Sequence, residues 1–309
     1  MEKIIIIGGV AGGMSAATRL RRLKEDAEII VFDKGPYVSF ANCGLPYYVS
    51  GKIAQRDALI LQTPESLSTR FNLDVRPLHD VIQINPDKKT VTVKNQAGIF
   101  EASYDHLILS PGAKPFIPEI DGLQDADNIF SLRNVPDLDK LIAKINENGA
   151  EKVTVIGAGF IGLEMAENLK QKGLAVTIVE KASHVLPTMD EEMAAFVTQE
   201  LVHQGVRVIT SQSVVAFKDK GRKIILEDGT MLSSDITILS VGIQPETALA
   251  AAAGIKLGFR GGILVDDHYQ TNLKDIYAVG DVISKKYRQI TTAVADGTIA
   301  AISIAKMLN

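Results

Sequence analysis

Cysteine is nearly missing from this chain: Cys43 is the one cysteine in 309 residues. That excludes an intramolecular disulfide and a cysteine-based zinc site, and it makes the reducing cytoplasm the expected compartment. Tryptophan is absent and no segment is of low complexity. None of the five histidines falls in a metal-ligand spacing, so no metal is expected. Long basic runs are missing and the net charge is −4, which sets nucleic acid aside as a partner. Long apolar runs are missing too. Ile4 to Ile7 is too short for a signal peptide and leads straight into glycines, and no run approaches a membrane span, so no membrane partner is expected. Charged residues at 23% and hydrophobic ones at 46% describe an ordinary soluble globular protein, long enough for two domains.

What is present is a repeated unit. Lys3 to Ile7 reads as a fully buried parallel strand, short, continuous and β-branched. Gly8-Gly9-Val10-Ala11-Gly12-Gly13 follows, then a predicted helix over 14–24 and a second strand over 28–33 that ends in Asp33. Such glycines permit a tight turn and let a helix N-terminus approach a pyrophosphate. Val10 stands where G-x-G-x-x-G has its middle glycine. The unit recurs: a strand over 152–156, the complete fingerprint Gly157-Ala158-Gly159-Phe160-Ile161-Gly162, a helix over 163–172 with Gly173 as its C-cap, and a strand over 175–180 closed by Glu180. Two such copies point to two dinucleotide sites.

Between the copies, 75–94 alternates like antiparallel strands around the turn Asn85-Pro86-Asp87. Residues 104–112 read as a buried strand ending at a chain crossing, with Pro111, Pro115 and Pro118 marking a linker. Further strands are expected over 222–227 and 235–240, a return crossing over 241–245, and a strand over 275–281 that delivers Asp281. A final helix over about 291–308 has Ala293, Ala300, Ala301 and Ile304 as packing positions. The expected fold is α/β, with two Rossmann-like domains: 1–112 and 246–309 form a discontinuous first domain, and 113–245 are inserted in it.

With these motifs in order, the chain resembles the flavoprotein pyridine nucleotide–disulfide oxidoreductases. The two fingerprints and Tyr277-Ala278-Val279-Gly280-Asp281 carry the match. Within that group, Gly9 to Gly13, Ser39-Phe40-Ala41-Asn42-Cys43-Gly44-Leu45-Pro46-Tyr47, 107–113 and Ser131-Leu132-Arg133-Asn134 are similar to coenzyme A-disulfide reductases, in which a residue like Val10 is a common variant. Those enzymes continue into a C-terminal dimerisation domain. The tail here, Tyr287-Arg288-Gln289 through Asp296-Gly297, instead resembles the last helix of thioredoxin reductases. The expectation is a two-domain hybrid without the usual dimerisation domain, which leaves a homodimer open.

The resemblance implies FAD in the first domain and NADH in the second. For FAD it assigns Gly8, Val10, Ala11, Gly12, Gly13, Asp33, Lys34, Asn42, Asp281, Gln289, Ile290 and Thr291. Asp33 would bond the adenosine ribose and Asp281 the ribityl chain. Helix N–H groups over 289–291 would sit at the flavin ring, with Thr291 capping that helix. For NADH it assigns Gly157, Gly159, Phe160, Ile161, Gly162, Glu164, Glu180 and Gly242. Glu180 would bond a 2′-hydroxyl and repel a 2′-phosphate, with Lys181 and His184 nearby leaving NADPH open. Positions matching Arg19, Arg22, Ser39 and Asn42 contact coenzyme A in that subfamily.

Cys43 is the expected redox centre. Tyr48 occupies the second position of C-x-x-x-x-C, so Cys43 pairs with a substrate thiol or is oxidised to sulfenic acid. A helix N-terminus beside it would lower the thiol pKa and favour the thiolate. The expected activity is FAD-dependent, NAD(P)H-driven reduction of a low-molecular-weight disulfide or persulfide of the coenzyme A disulfide type. Rival readings are an NADH oxidase or peroxidase using a Cys43 sulfenic acid, and a flavin-binding core without turnover. Ala11 stands where the peroxidase branch has a histidine. A thioredoxin reductase is excluded, because 113–245 holds no cysteine for its C-x-x-C.

Overall fold

The structure of the chain is a computed structural model and describes residues 2–147 and 149–308. The helices among these residues are α1 (Ala11–Leu23), α2 (Leu45–Val49), α3 (Pro64–Phe71), α4 (Val135–Asn146), α5 (Phe160–Gln171), α6 (Glu191–His203), α7 (Ala248–Ala252) and α8 (Ile290–Met307). The chain divides into two compact units, 1–40 with 60–114 and 244–309, and 41–59 with 115–243.

The first unit is built on a five-stranded parallel sheet in the order Ile276–Ala278, His106–Leu109, Lys3–Ile7, Glu28–Phe32, Asp74–Arg76. Ile5 pairs with Ile30 on one side and Leu107 on the other. The central strand is apolar from Ile4 to Ile7 because both its faces are covered there. Ile4 and Ile6 pack with Ala16, Ala17 and Leu20 of α1 and Ala300, Ala301 and Ile304 of α8. Ile5 and Ile7 face the other way, onto Val91 and Val93. Those two belong to a three-stranded antiparallel sheet, Asp80–Asn85, Thr90–Asn95 and Gly98–Ser103.

The second unit repeats the plan. Its parallel sheet runs Arg207–Ile209, Ala175–Val179, Lys152–Ile156, Ile236–Leu239, Ile129–Phe130. Its antiparallel sheet is Val214–Lys218, Lys223–Leu226 and Met231–Ser233. Both parallel sheets place the first Gly-rich strand at the centre, so each is a Rossmann-like α/β layer. The insert leaves the first unit along Ala113–Pro115 and returns along Ile243–Pro245.

Several expectations need correction. Residues 75–94 are not one antiparallel run: Asp74–Arg76 is a parallel edge strand on Glu28–Phe32, and only 80–85 and 90–95 form the hairpin. Gly98–Ser103, whose residues are mostly half-exposed or exposed, carries too weak a pattern to be read as a strand, yet it completes that sheet. Residues 41–59 group with the insert, since α2 packs on α4 and α5, and the Arg56 guanidinium pairs with Asp139 at 2.7 and 2.6 Å.

α8 is long and apolar enough to cross a membrane by length and composition alone, contrary to the expectation that no run approaches a span. Its place in the fold is a core position against α1. A Cβ on Gly297 would stand 2.2 Å from the Gly12 carbonyl oxygen, so glycine is what lets the two helices approach this closely.

Candidate nucleotide sites and the single thiol

In the first unit, α1 starts at Ala11, earlier than expected, with Val10 as its N-cap and the Met14 N–H donating to the Val10 carbonyl at 2.9 Å. Gly12 and Gly13 are therefore helical, and α1 begins inside the glycine run. A Cβ on Gly13 would lie 1.9 Å from the Gly8 carbonyl oxygen. The strand, the turn and the helix can close on each other only without that carbon. Gly8 donates to the Phe32 carbonyl at 2.8 Å. Asp33 takes the Gly9 N–H on one carboxylate oxygen and the Gly35 N–H on the other, both at 2.7 Å. Lys34, beside it, points to Glu246 at 3.8 Å.

The second unit shows the same arrangement. A Cβ on Gly162 would lie 2.0 Å from the Gly157 carbonyl oxygen. Gly157 donates to the Val179 carbonyl at 2.8 Å. Glu180 takes the Ala158 N–H at 2.6 Å and the Ala182 N–H at 2.8 Å. Gly159 caps α5, while Phe160 and Ile161 on its first turn are exposed. The Gly242 carbonyl accepts the Phe116 N–H at 3.0 Å.

Sequence reasoning missed the residues that brace both cradles. Ser110 donates its N–H to Ile7 at 2.7 Å, and Ser240 does the same to Ile156 at 2.9 Å. The Ser240 hydroxyl also reaches the Ile156 and Gly157 carbonyls, each at 3.0 Å. The signal was available: Ser110-Pro111-Gly112 and Ser240-Val241-Gly242 occupy matching places after matching strands.

Asp281 lies in a short 3-10 turn, Gly280–Val282, at the end of strand Ile276–Ala278. Its Oδ1 is buried with no hydrogen-bond partner. Burial raises its carboxyl above the usual Asp range, against the pull of Lys285 and Arg288. A buried, unpartnered carboxylate oxygen fits a ligand hydroxyl. Gln289, Ile290 and Thr291 begin α8, all exposed. The capping partner is not Thr291: Gln289 donates its N–H to the Thr292 hydroxyl at 3.2 Å. The hydroxyl one residue further on is the one that reaches back.

Arg19, Arg22 and Ser39 belong to the first unit. Arg19 Nε is buried without a partner, and the Arg22 guanidinium stands over the Phe71 ring at 5.7 Å. Ser39 has φ of 47° and donates its N–H to the Gly9 carbonyl at 2.8 Å. Asn42 belongs to the second unit, where its amide reaches the Arg133 carbonyl at 3.5 Å.

Cys43 also belongs to the second unit, in the 3-10 turn Asn42–Gly44 just before α2. It is exposed. Its thiol pKa is raised, first by desolvation on its packed side and then by the Glu164 carboxylate of α5. The expected lowering by a helix N-terminus is thus overturned for the protein's own groups: α2 spans 5 residues, too short for a strong dipole, and the nearby charge is negative. Glu164 is itself raised, by burial and then by Glu167.

Two parallel sheets, each ending in a Gly-rich cradle closed by an acid, give two candidate dinucleotide sites. A family model described as pyridine nucleotide-disulphide oxidoreductase matches residues 2–297, and the chain belongs to that family. It is 38% identical over 292 residues to the coenzyme A disulfide reductase of Staphylococcus haemolyticus (strain JCSC1435), covering 94% of this chain and 65% of that protein. The chain thus spans a little under two thirds of such relatives. It resembles the crystal structure of reduced CoADR-RHD from Bacillus anthracis, with 45% identity, a TM-score of 0.97, and coverage of 98% of this chain and 57% of that one. It also resembles an NAD-dependent persulfide reductase from A. fulgidus, with 34% identity, a TM-score of 0.95, and coverage of 98% and 59%.

Proposed function

We propose that this chain is an FAD-dependent NAD(P)H oxidoreductase that reduces a low-molecular-weight disulfide or persulfide, of the coenzyme A disulfide type, through Cys43. The observation that carries the reading is the pair of matched acid-closed cradles on a chain whose only thiol is exposed. The names of similar proteins, coenzyme A disulfide reductase and NAD-dependent persulfide reductase, support the acceptor class. The lone exposed thiol suits a reducing compartment, which supports a cytoplasmic location.

The residues fit their groups. Asp33 would hold the adenosine ribose of FAD, as the acid that the Gly9 and Gly35 N–H groups fix at the end of its strand. Asp281 would accept from the ribityl chain on its unpartnered Oδ1. The first turn of α8 would offer N–H groups to the flavin end. Glu180 would hold the ribose of NADH, with Gly157 to Gly162 leaving room for its pyrophosphate. Arg19, Arg22, Ser39 and Asn42 would serve the thiol substrate, arginine suiting its phosphates.

Cys43 acts as a thiolate. It attacks one sulfur of the substrate, forms a mixed disulfide and expels the other half as a thiolate. FAD and NADH, when bound, would supply the two electrons needed to cleave the Cys43–substrate bond, so that the second half of the substrate leaves as a thiolate and Cys43 is again a thiolate.

Purified protein tests the reading. NADH consumption is measured with coenzyme A disulfide, with oxygen alone and with peroxide, alongside flavin content. One FAD per chain and turnover with the disulfide are expected. Turnover with oxygen or peroxide alone would replace the reading with an oxidase or peroxidase. A protein that reconstitutes with no flavin would remove it altogether.

A further inference from the structure

Asp296, on the second turn of α8, belongs to neither fingerprint nor to any expected site. It is 5% exposed, and its carboxylate gathers three donors. Oδ1 accepts the Tyr269 hydroxyl at 2.7 Å. Oδ2 accepts the Gly280 N–H at 3.0 Å and Lys285 Nζ at 2.6 Å. Lys285 is itself well covered and also donates to the Thr292 hydroxyl at 3.2 Å. The environment of the carboxylate holds the Tyr269 hydroxyl firmly as a donor, its pKa pushed up to about 12 by burial and by Asp296.

The Gly280 N–H belongs to the residue immediately before Asp281, a glycine with φ of +81° that a side chain would strain. On the other side of the turn, Arg288 Nε donates to the Asp281 carbonyl at 3.1 Å. The backbone carrying Asp281 is therefore tied down twice while its own Oδ1 is left without a partner. Neutralising Lys285 would not by itself require the bond to Gly280.

We propose that Asp296 is a positioning residue for Asp281: by holding the Gly280 N–H, Lys285 and Tyr269 together it presets the carboxylate that receives the flavin's ribityl chain. The inference rests on the reading of Asp281 as a flavin-binding acid. Asp296 also sets the charge that Asp281 meets. The charged groups acting on Asp281 are Lys285, Arg288 and Asp296, and Lys285 is bonded to Asp296. Removing the Asp296 charge takes away a repulsion and frees Lys285 for Asp281. Removing Lys285 does the reverse.

The test is a titration of flavin-stripped full-length protein with FAD, as a function of pH, for wild type, Asp281→Ala, Asp296→Asn and Lys285→Met. Asp296→Asn should bind FAD about tenfold more weakly near neutral pH, the order expected of one charge-assisted hydrogen bond. Its loss of affinity in acid should move to lower pH, whereas in Lys285→Met that loss should move to higher pH. NADH binding should be unchanged in both. A merely structural role would weaken the fold but leave the acid limb in place. If Asp281→Ala weakens FAD binding while Asp296→Asn keeps wild-type affinity and an unmoved acid limb, the inference alone is overturned. If Asp281→Ala binds FAD like wild type, the reading of Asp281 fails and takes the inference with it. Should Asp296→Asn fail to fold, Tyr269→Phe decides, since it removes one of the three donors that fix the Asp296 carboxylate: weaker FAD binding is expected, and wild-type affinity overturns the proposal.

Discussion

Glu180 accepts the Ala158 N–H at 2.6 Å, so the acid at the end of its strand is aimed by the Gly-rich turn it closes. Its other oxygen is held by Ala182 at 2.8 Å. A carboxylate fixed at both oxygens keeps lone pairs for a ribose hydroxyl without a change of rotamer. A 2′-phosphate would meet the same fixed negative charge.

Steady-state comparison of donors should therefore favour NADH over NADPH, and Glu180→Ala should narrow that preference by about tenfold or more. Equal efficiency in the wild type would assign the pocket to Lys181 or His184 instead.

The glycines of the second fingerprint should separate folding from binding. Gly162→Ala places a carbon 2.0 Å from the Gly157 carbonyl oxygen and should cost about 2–3 kcal/mol in chemical denaturation. Nothing lies within 4 Å of a Cβ on Gly159, so Gly159→Ala should cost about 1 kcal/mol or less. Its Cβ would narrow the turn proposed to take the pyrophosphate, and the expected defect is a raised KM for NADH.

Asp281 should oppose stability where it serves binding. Its folded pKa is raised by burial above the unfolded value, so the folded state holds its proton more tightly. Stability is then greatest below the ordinary Asp pKa and is lost as pH rises through the raised one. Asp281→Asn should raise the Tm of the flavin-free protein at neutral pH, with the gain vanishing in acid, while FAD retention falls. A variant that melts lower at every pH would contradict this sign.

Cys43→Ser should abolish disulfide turnover while anaerobic bleaching of the flavin by NADH stays nearly intact, since serine cannot form a mixed disulfide. Burial and Glu164 both raise the thiol, so wild-type disulfide reduction should climb with pH beyond the ordinary thiol range. Glu164→Gln should move that climb to lower pH. Serine protein that turns over disulfide at the wild-type rate would make Cys43 structural.

The sequence by itself determined what depends on neighbours in the chain. A strand of four isoleucines, a turn that excludes a Cβ, a helix and a closing acid follow from sterics and periodicity within some thirty residues, and both copies were legible together with Asp33 and Glu180. Cys43 and Tyr48 likewise settled the absence of an internal dithiol. Tertiary structure decided what depends on distant partners. Asp296 has no motif of its own, and its role comes from Tyr269, Gly280 and Lys285, which the fold brings to it. Gly98–Ser103 became a strand only because Thr90–Asn95 lies beside it. Residues 41–59 joined the second unit through α4 and α5, and the closeness of α8 to α1 came from Gly297 meeting Gly12, while the packing positions of α8 were already legible. Hydrogen bonds and packing across long loops leave no periodic trace in either partner, so only the folded chain could show them.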